Sequence, residues 1–240
     1  MKISILALVL LIIAIVTYYI VPIIRSIHMS KKIEENTKPF TQINKDASFR
    51  ILVTGDSTAM GVGAKNTQDS VAGRFAKDYP ESEIINLSEN GLKIHGLRQK
   101  LETHLQKNKY DYIHIQIGAN DVVFLSKYGE IENDLIAILD LVTEKADYVT
   151  VLTAADIGQV KVFKYPISKF VTDRTFEVRN IFKETIREYK NVSYIDLYAD
   201  KELSQQFQKN PEKYYAADMF HLNGKGYGEW YNAIRETLNK

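Results

Sequence analysis

The chain contains no cysteine. That excludes a disulfide framework, a thiol nucleophile and any thiolate metal site. Proline is scarce at five residues and glycine modest at 12, which rules out collagen-like and low-complexity architectures. Repeats and sustained heptads are also missing. Charge of one sign is not in excess: 31 basic and 30 acidic side chains leave a formal net charge of +1. Lys2 and Arg25 are the charged residues of positions 1–30, so the rest of the chain is close to neutral. A near-neutral body argues against nucleic acid as a partner, because phosphate binding needs a basic surface. No group of histidines and acids has metal-ligand spacing, so neither a metal nor a cofactor is expected.

What is present fits one globular domain with an appendage. The chain has 240 residues, 45% apolar and 25% charged. From Ile3 to Ile24 no side chain is charged. As a helix this run would extend about 33 Å, enough for the hydrocarbon core of a bilayer. Tyr18 and Tyr19 suit the aromatic belt at a membrane interface. A secretory signal has a similar start, but the run is long and Tyr-Tyr-Ile-Val-Pro-Ile-Ile-Arg offers no small-x-small cleavage site. The expectation is an uncleaved single-pass anchor over 1–25, a polar tether over 26–48 and a body over 49–240. The positive-inside count leans slightly toward a cytoplasmic body. A signal-like anchor at the extreme N-terminus favours an extracytoplasmic one, and that orientation is preferred.

The body alternates between strand and helix patterns. Strands are expected at Phe49–Thr54, Glu83–Leu87, Tyr110–Ile117, Tyr148–Thr153 and Val192–Leu197. Helices are expected at Ser70–Asp78, Leu92–Lys107, Ile131–Ala146, Asp173–Tyr189 and Gly228–Leu238. Five strands separated by helices imply a parallel sheet with helices on both faces, an α/β/α sandwich. Ligands in such sheets bind beyond the carboxyl ends of the strands. Small polar clusters fall at that edge: Gly55-Asp56-Ser57 after the first strand, Asn86 to Gly91 after the second and Gly118 to Asp121 after the third. Asp218-Met219-Phe220-His221 precedes the closing helix. A serine, a histidine, a carboxylate and spare amide donors are the parts needed for acyl transfer through a nucleophilic serine.

The body resembles the SGNH hydrolase family, also called GDSL esterases, over roughly residues 50–238. The four name-giving residues have counterparts in order at Ser57, Gly91, Asn120 and His221. The block from Val53 to Gly63 is similar well beyond Gly-Asp-Ser, and Asp218 lies three residues before the histidine. Leu222 departs from the pattern, since many members carry proline there. The resemblance implies a flavodoxin-like fold, with Ser57 as nucleophile, His221 as base and Asp218 as its orienting acid. The oxyanion hole would be the backbone N–H groups of Ser57 and Gly91 with the side-chain amide of Asn120.

Each residue also has a plainer reading. Ser57 could be a helix cap, and Asn120 or Gly91 a turn residue. Asp56 and Asp121 read as caps or loop braces. His28 lies in the tether, His95 and His104 on or near one helix, and His114 within a strand. Lys161–Phe170, with Phe163, Tyr165 and Phe170 among lysines, could be a substrate lid or a packed loop. Phosphate-loop and dinucleotide patterns fail, because the required lysine and third glycine are missing. The expected activity is a membrane-anchored serine esterase acting on a small-molecule, lipid or carbohydrate ester. An O-acyltransferase or deacetylase of envelope carbohydrate, and a silent binding module of the same fold, stand as alternatives.

Overall fold

The computed structural model describes residues 5–238. Ile3 and Ser4 of the apolar run, and the last two residues of the body, lie outside them. Five strands form one sheet: β1 (Arg50–Gly55), β2 (Glu83–Asn86), β3 (Tyr110–Gln116), β4 (Ala146–Leu152) and β5 (Val192–Ile195). All neighbours run parallel, in the order β2-β1-β3-β4-β5. These runs are rich in β-branched and apolar residues because both sheet faces are covered. Ile51 and Val53 join one core, while Leu52 between them joins the other. Successive strand residues point to opposite faces, so a parallel sheet needs apolar side chains at both parities.

Ten α-helices accompany the sheet among the described residues: α1 (Ile5–Glu34), α2 (Ser57–Met60), α3 (Val71–Asp78), α4 (Ile94–His104) and α5 (Ala119–Val123). They continue with α6 (Tyr128–Thr143), α7 (Ile167–Ile186), α8 (Lys201–Lys209), α9 (Pro211–Tyr214) and α10 (Gly224–Leu238). One layer holds α4, α6 and α7. Its buried stripe on α6 is Ile131, Leu135, Ile138, Leu139 and Val142, the spacing of a single helical face. Phe182 of α7 is fully buried in the same core, so truncating it to alanine should cost about 3–5 kcal/mol. The other layer holds α3 and α10, with Phe75, Tyr227, Trp230 and Ile234 buried against the sheet. Ser70 caps α3 by accepting the Gly73 N–H at 3.1 Å.

Several elements differ from the sequence expectation. Helix α7 starts at Ile167 rather than Asp173, and α10 at Gly224 rather than Gly228. Helices α8 and α9 occupy a stretch with too few apolar residues to show a period. Most consequential, α1 does not stop near Arg25 but continues to Glu34. Residues 25–34 contain neither proline nor glycine, so nothing local ends the helix. The remainder of the expected tether is also bonded to the body. Gln42 exchanges backbone hydrogen bonds with Ile84 at 2.8 and 2.9 Å, along the outer edge of β2.

Strand order reverses between β1 and β3, each neighbour leading to a helix on the opposite face. The crevice beyond their carboxyl ends is where such a sheet holds its ligand. β1 leads directly into Asp56-Ser57, and β3 into Gly118-Ala119-Asn120.

Candidate active site

The end of β1 shows why its sequence is Gly55-Asp56-Ser57. Gly55 has φ 144°, and a Cβ there would come within 1.8 Å of the Gln116 carbonyl oxygen on β3. Only glycine allows this approach. Asp56 then caps α2, its Oδ1 accepting the Thr58 N–H at 2.9 Å and the Thr58 hydroxyl at 2.7 Å. Burial pushes the Asp56 carboxyl up to about 6, against those two bonds. The cap leaves Ser57 as the first residue of a single helical turn, and buried.

Ser57 Oγ lies 2.9 Å from His221 Nε2, and His221 Nδ1 lies 2.6 Å from Asp218 Oδ2. The other carboxylate oxygen, Oδ1, accepts the backbone N–H groups of Phe220 and His221, both at 3.0 Å. This geometry depends on Met219, which takes a left-handed φ of 57°, a conformation that costs a non-glycine residue about 1–2 kcal/mol. The turn points both amides back at the carboxylate. Burial pushes the Asp218 carboxyl up. The imidazole's hydrogen bond and charge, the Phe220 amide and the Ser30 hydroxyl outweigh burial and hold it below the usual range. Phe220 packs edge-on against the His221 ring, with centroids 5.3 Å apart. At Leu222, where proline was the expected pattern, the chain pairs with Tyr215. The flanking bonds come from the Ala216 and Asn223 amides, so the pairing itself steadies the loop.

Ser57, Gly91, Asn120 and His221 all line one cavity of about 340 Å³. Gly91 has φ 71°, and a Cβ there would meet nothing within 4 Å. Backbone conformation, rather than crowding, therefore selects glycine at this position. Asn120 donates from Nδ2 to the Leu92 carbonyl at 3.1 Å. An amide nitrogen carries two donors, so this bond fixes the group while leaving one N–H for a ligand. Apolar side chains supply most of the wall, including Phe124, Val160, Phe163 and Phe220. Of the stretch Lys161–Phe170, Phe163 faces the cavity and packs on the core, whereas Tyr165 and Phe170 are exposed.

The plainer readings hold elsewhere. Asp121 braces α4, its Oδ2 accepting the Ile94 N–H at 3.0 Å. His114 is fully buried between Thr150 Oγ1 at 2.7 Å and Gln116 Oε1 at 3.0 Å, and burial lowers its pKa to about 4. Among the described residues, no group of histidines and acids could hold a metal. What the sequence did not reveal is that α1 reaches the site. Ser30 Oγ donates to Asp218 Oδ2 and Ser26 Oγ to the Asp218 backbone carbonyl, each at 2.8 Å. Two serines one helical turn apart, at the end of an apolar run, were the available signal.

A five-stranded doubly wound sheet carrying a serine, a histidine and an aspartate in hydrogen-bonded line defines the class of α/β/α hydrolases. Residues 53–228 match the GDSL-like Lipase/Acylhydrolase family, and the chain belongs to that family of ester hydrolases. Similar solved folds include TesA, with a TM-score of 0.64 and 15% identity over 79% of this chain and 97% of that one. The lipase/acylhydrolase from Enterococcus faecalis gives 0.58 and 21%, over 78% and 94%. An acetyl xylan esterase, AlAXEase, gives 0.59 and 20%, over 79% and 99%. Curated proteins offer no match.

Proposed function

We propose that this chain is a membrane-held serine esterase whose substrate carries an apolar acyl group. The observation that carries this reading is the Ser57–His221–Asp218 line opening on an apolar cavity. A serine hydroxyl is a poor nucleophile until a base takes its proton. Ser57 Oγ attacks the ester carbonyl carbon while His221 Nε2 accepts the hydroxyl proton. Asp218 holds the ring with Nδ1–H toward itself and stabilises the imidazolium. The oxyanion then forms opposite the Ser57 and Gly91 amides and the second N–H of Asn120. Collapse expels the alcohol, which takes the proton from His221. Water, deprotonated by the same imidazole, releases the acid and restores Ser57.

The cavity bears on the acyl group. Acetyl xylan esterases are among the similar folds, but an acetyl group would fill little of about 340 Å³. Walls rich in Phe and Val favour a longer chain through apolar burial, about 0.8 kcal/mol per methylene. Helix α1 supports the membrane part of the reading. It is long and apolar enough to cross a bilayer, and its side chains from Leu8 to Val16 stand clear of the body. The preferred orientation is extracytoplasmic.

The test is an aryl ester panel from acetyl to long acyl chains, with the full-length protein and its Ser57→Ala variant. The reading expects Ser57-dependent turnover that improves beyond acetyl. Turnover equal in the two proteins would refute it.

A further inference from the structure

The family match begins at residue 53, so α1 lies outside it. Yet one face of its last three turns forms part of the cavity wall: Ile23, Ser26, Ile27, Ser30, Lys31 and Glu34. These positions follow the three- and four-residue spacing of one helical stripe. Ser26 and Ser30 are buried there, although they come from a stretch whose composition reads as a solvated linker.

We infer that Ser30 is a positioning residue for the catalytic carboxylate, so that the membrane helix is a working wall of the active site rather than a leash. The inference rests on the assignment of Ser57, His221 and Asp218 given above. Its physical basis is the count of donors around Asp218. The carboxylate presents four good acceptor directions. Two on Oδ1 take the Phe220 and His221 amides, and Oδ2 takes the His221 ring at 2.6 Å. Ser30 supplies the fourth donor at 2.8 Å. A buried carboxylate missing one donor is freer to rotate and easier to protonate, and hydrogen bonds to charged groups are the stronger kind.

Placement gives the contact its consequence. From Ile24, the end of the uncharged run, to Ser30 is six residues, or about 9 Å of helix. The cavity therefore opens close to where α1 leaves the bilayer, with Ile23 and Ile27 continuing the apolar surface of the helix into its wall. Any displacement of α1 from the body removes one donor from Asp218 and one side of the cavity together.

The experiment uses the full-length protein in detergent and compares Ser30→Ala, Ser30→Thr and Ser26→Ala. Ser26 docks the same helix on the Asp218 carbonyl without touching the carboxylate, so it separates docking from positioning. Ser30→Ala should lower kcat by about ten-fold with little change in KM, the size expected for one hydrogen bond to a charged group. Its acid-side loss of activity should move to higher pH, because the coupled Asp218–His221 pair, short of one donor to its carboxylate, takes a proton more readily. Ser30→Thr, which keeps the hydroxyl, should restore both, and Ser26→Ala should leave the acid limb in place. The His221 Nδ1 proton, read by NMR in the downfield region, should shift in Ser30→Ala and return in Ser30→Thr. That resonance does not depend on any ester. A shifted resonance in a protein without Ser57-dependent turnover would uphold the positioning and refute the esterase reading. An unmoved resonance, or an acid limb equally displaced by Ser26→Ala, would overturn the inference.

Discussion

Replacing Asp218 with asparagine makes a test whose outcome follows from hydrogen-bond direction alone. Oδ1 accepts two backbone N–H groups at 3.0 Å, and a backbone amide can only donate. In Asp218→Asn that position must hold the amide oxygen. The NH₂ group is then forced into the Oδ2 position, 2.6 Å from His221 Nδ1. There it donates to Nδ1 instead of accepting from it, and the ring carries its proton on Nε2. That proton points at Ser57 Oγ, 2.9 Å away, and the base is lost without displacing an atom. A wrong-tautomer histidine costs ~10⁴ in kcat, which is about 5 kcal/mol of transition-state stabilisation. The assay is steady-state hydrolysis of one activated aryl ester at pH 7–8, with thermal unfolding to confirm an intact fold. Activity within ten-fold of the parent would refute the reasoning, since it would mean that the carboxylate does not set the tautomer.

Asn120→Ala should lower kcat by about 10²–10³ with little change in KM, because an oxyanion donor acts on the transition state; a change confined to KM would reassign Asn120 to substrate binding. Gly91→Ala has room for its methyl but must hold φ 71°, so unfolding free energy should fall by about 1–2 kcal/mol, and an unchanged melting temperature would contradict the assigned backbone. His114, lowered to about 4 by burial, stays neutral in the native state while the unfolded chain takes a proton below about 6.5. Its contribution to stability is therefore present above that pH and lost as pH falls toward 4. Relative to the parent, His114→Gln should gain up to about 3 kcal/mol between pH 7 and 4, measured by urea unfolding; parallel pH curves would disprove it. The full-length protein should remain in the membrane pellet after a carbonate wash, and release would refute spanning by α1.

The positions and parallel type of the strands were legible because the sheet is buried on both faces, which writes short apolar runs such as Ile51-Leu52-Val53 into the sequence. The residues of the candidate site were legible for a related reason. Ser57, Gly91 and Asn120 each follow a strand, where a doubly wound sheet presents its ligand edge. Helix α8 was not, since Leu203 and Phe207 are the apolar residues in Lys201–Lys209, and a single pair four apart is too little to establish a period. The first turn of α7 is hidden in the sequence because Phe163, Tyr165 and Phe170 among lysines read as an aromatic loop, although Phe163 packs on the core and Phe170 already lies in the helix. The contact of Ser30 with Asp218 spans 188 residues. Serine is compatible with a linker, a cap or a helix, so only the folded chain brings these two together.

The central claim is that Ser57 forms a covalent acyl intermediate. It is tested most directly by mixing the full-length protein with an activated aryl ester, quenching in acid and locating the mass gained by peptide mapping. The account predicts one acyl group per chain on the peptide containing Ser57, absent in Ser57→Ala, whose kcat falls by about 10⁴–10⁶. Turnover that persists in Ser57→Ala, or an acyl group found on another residue, would contradict it.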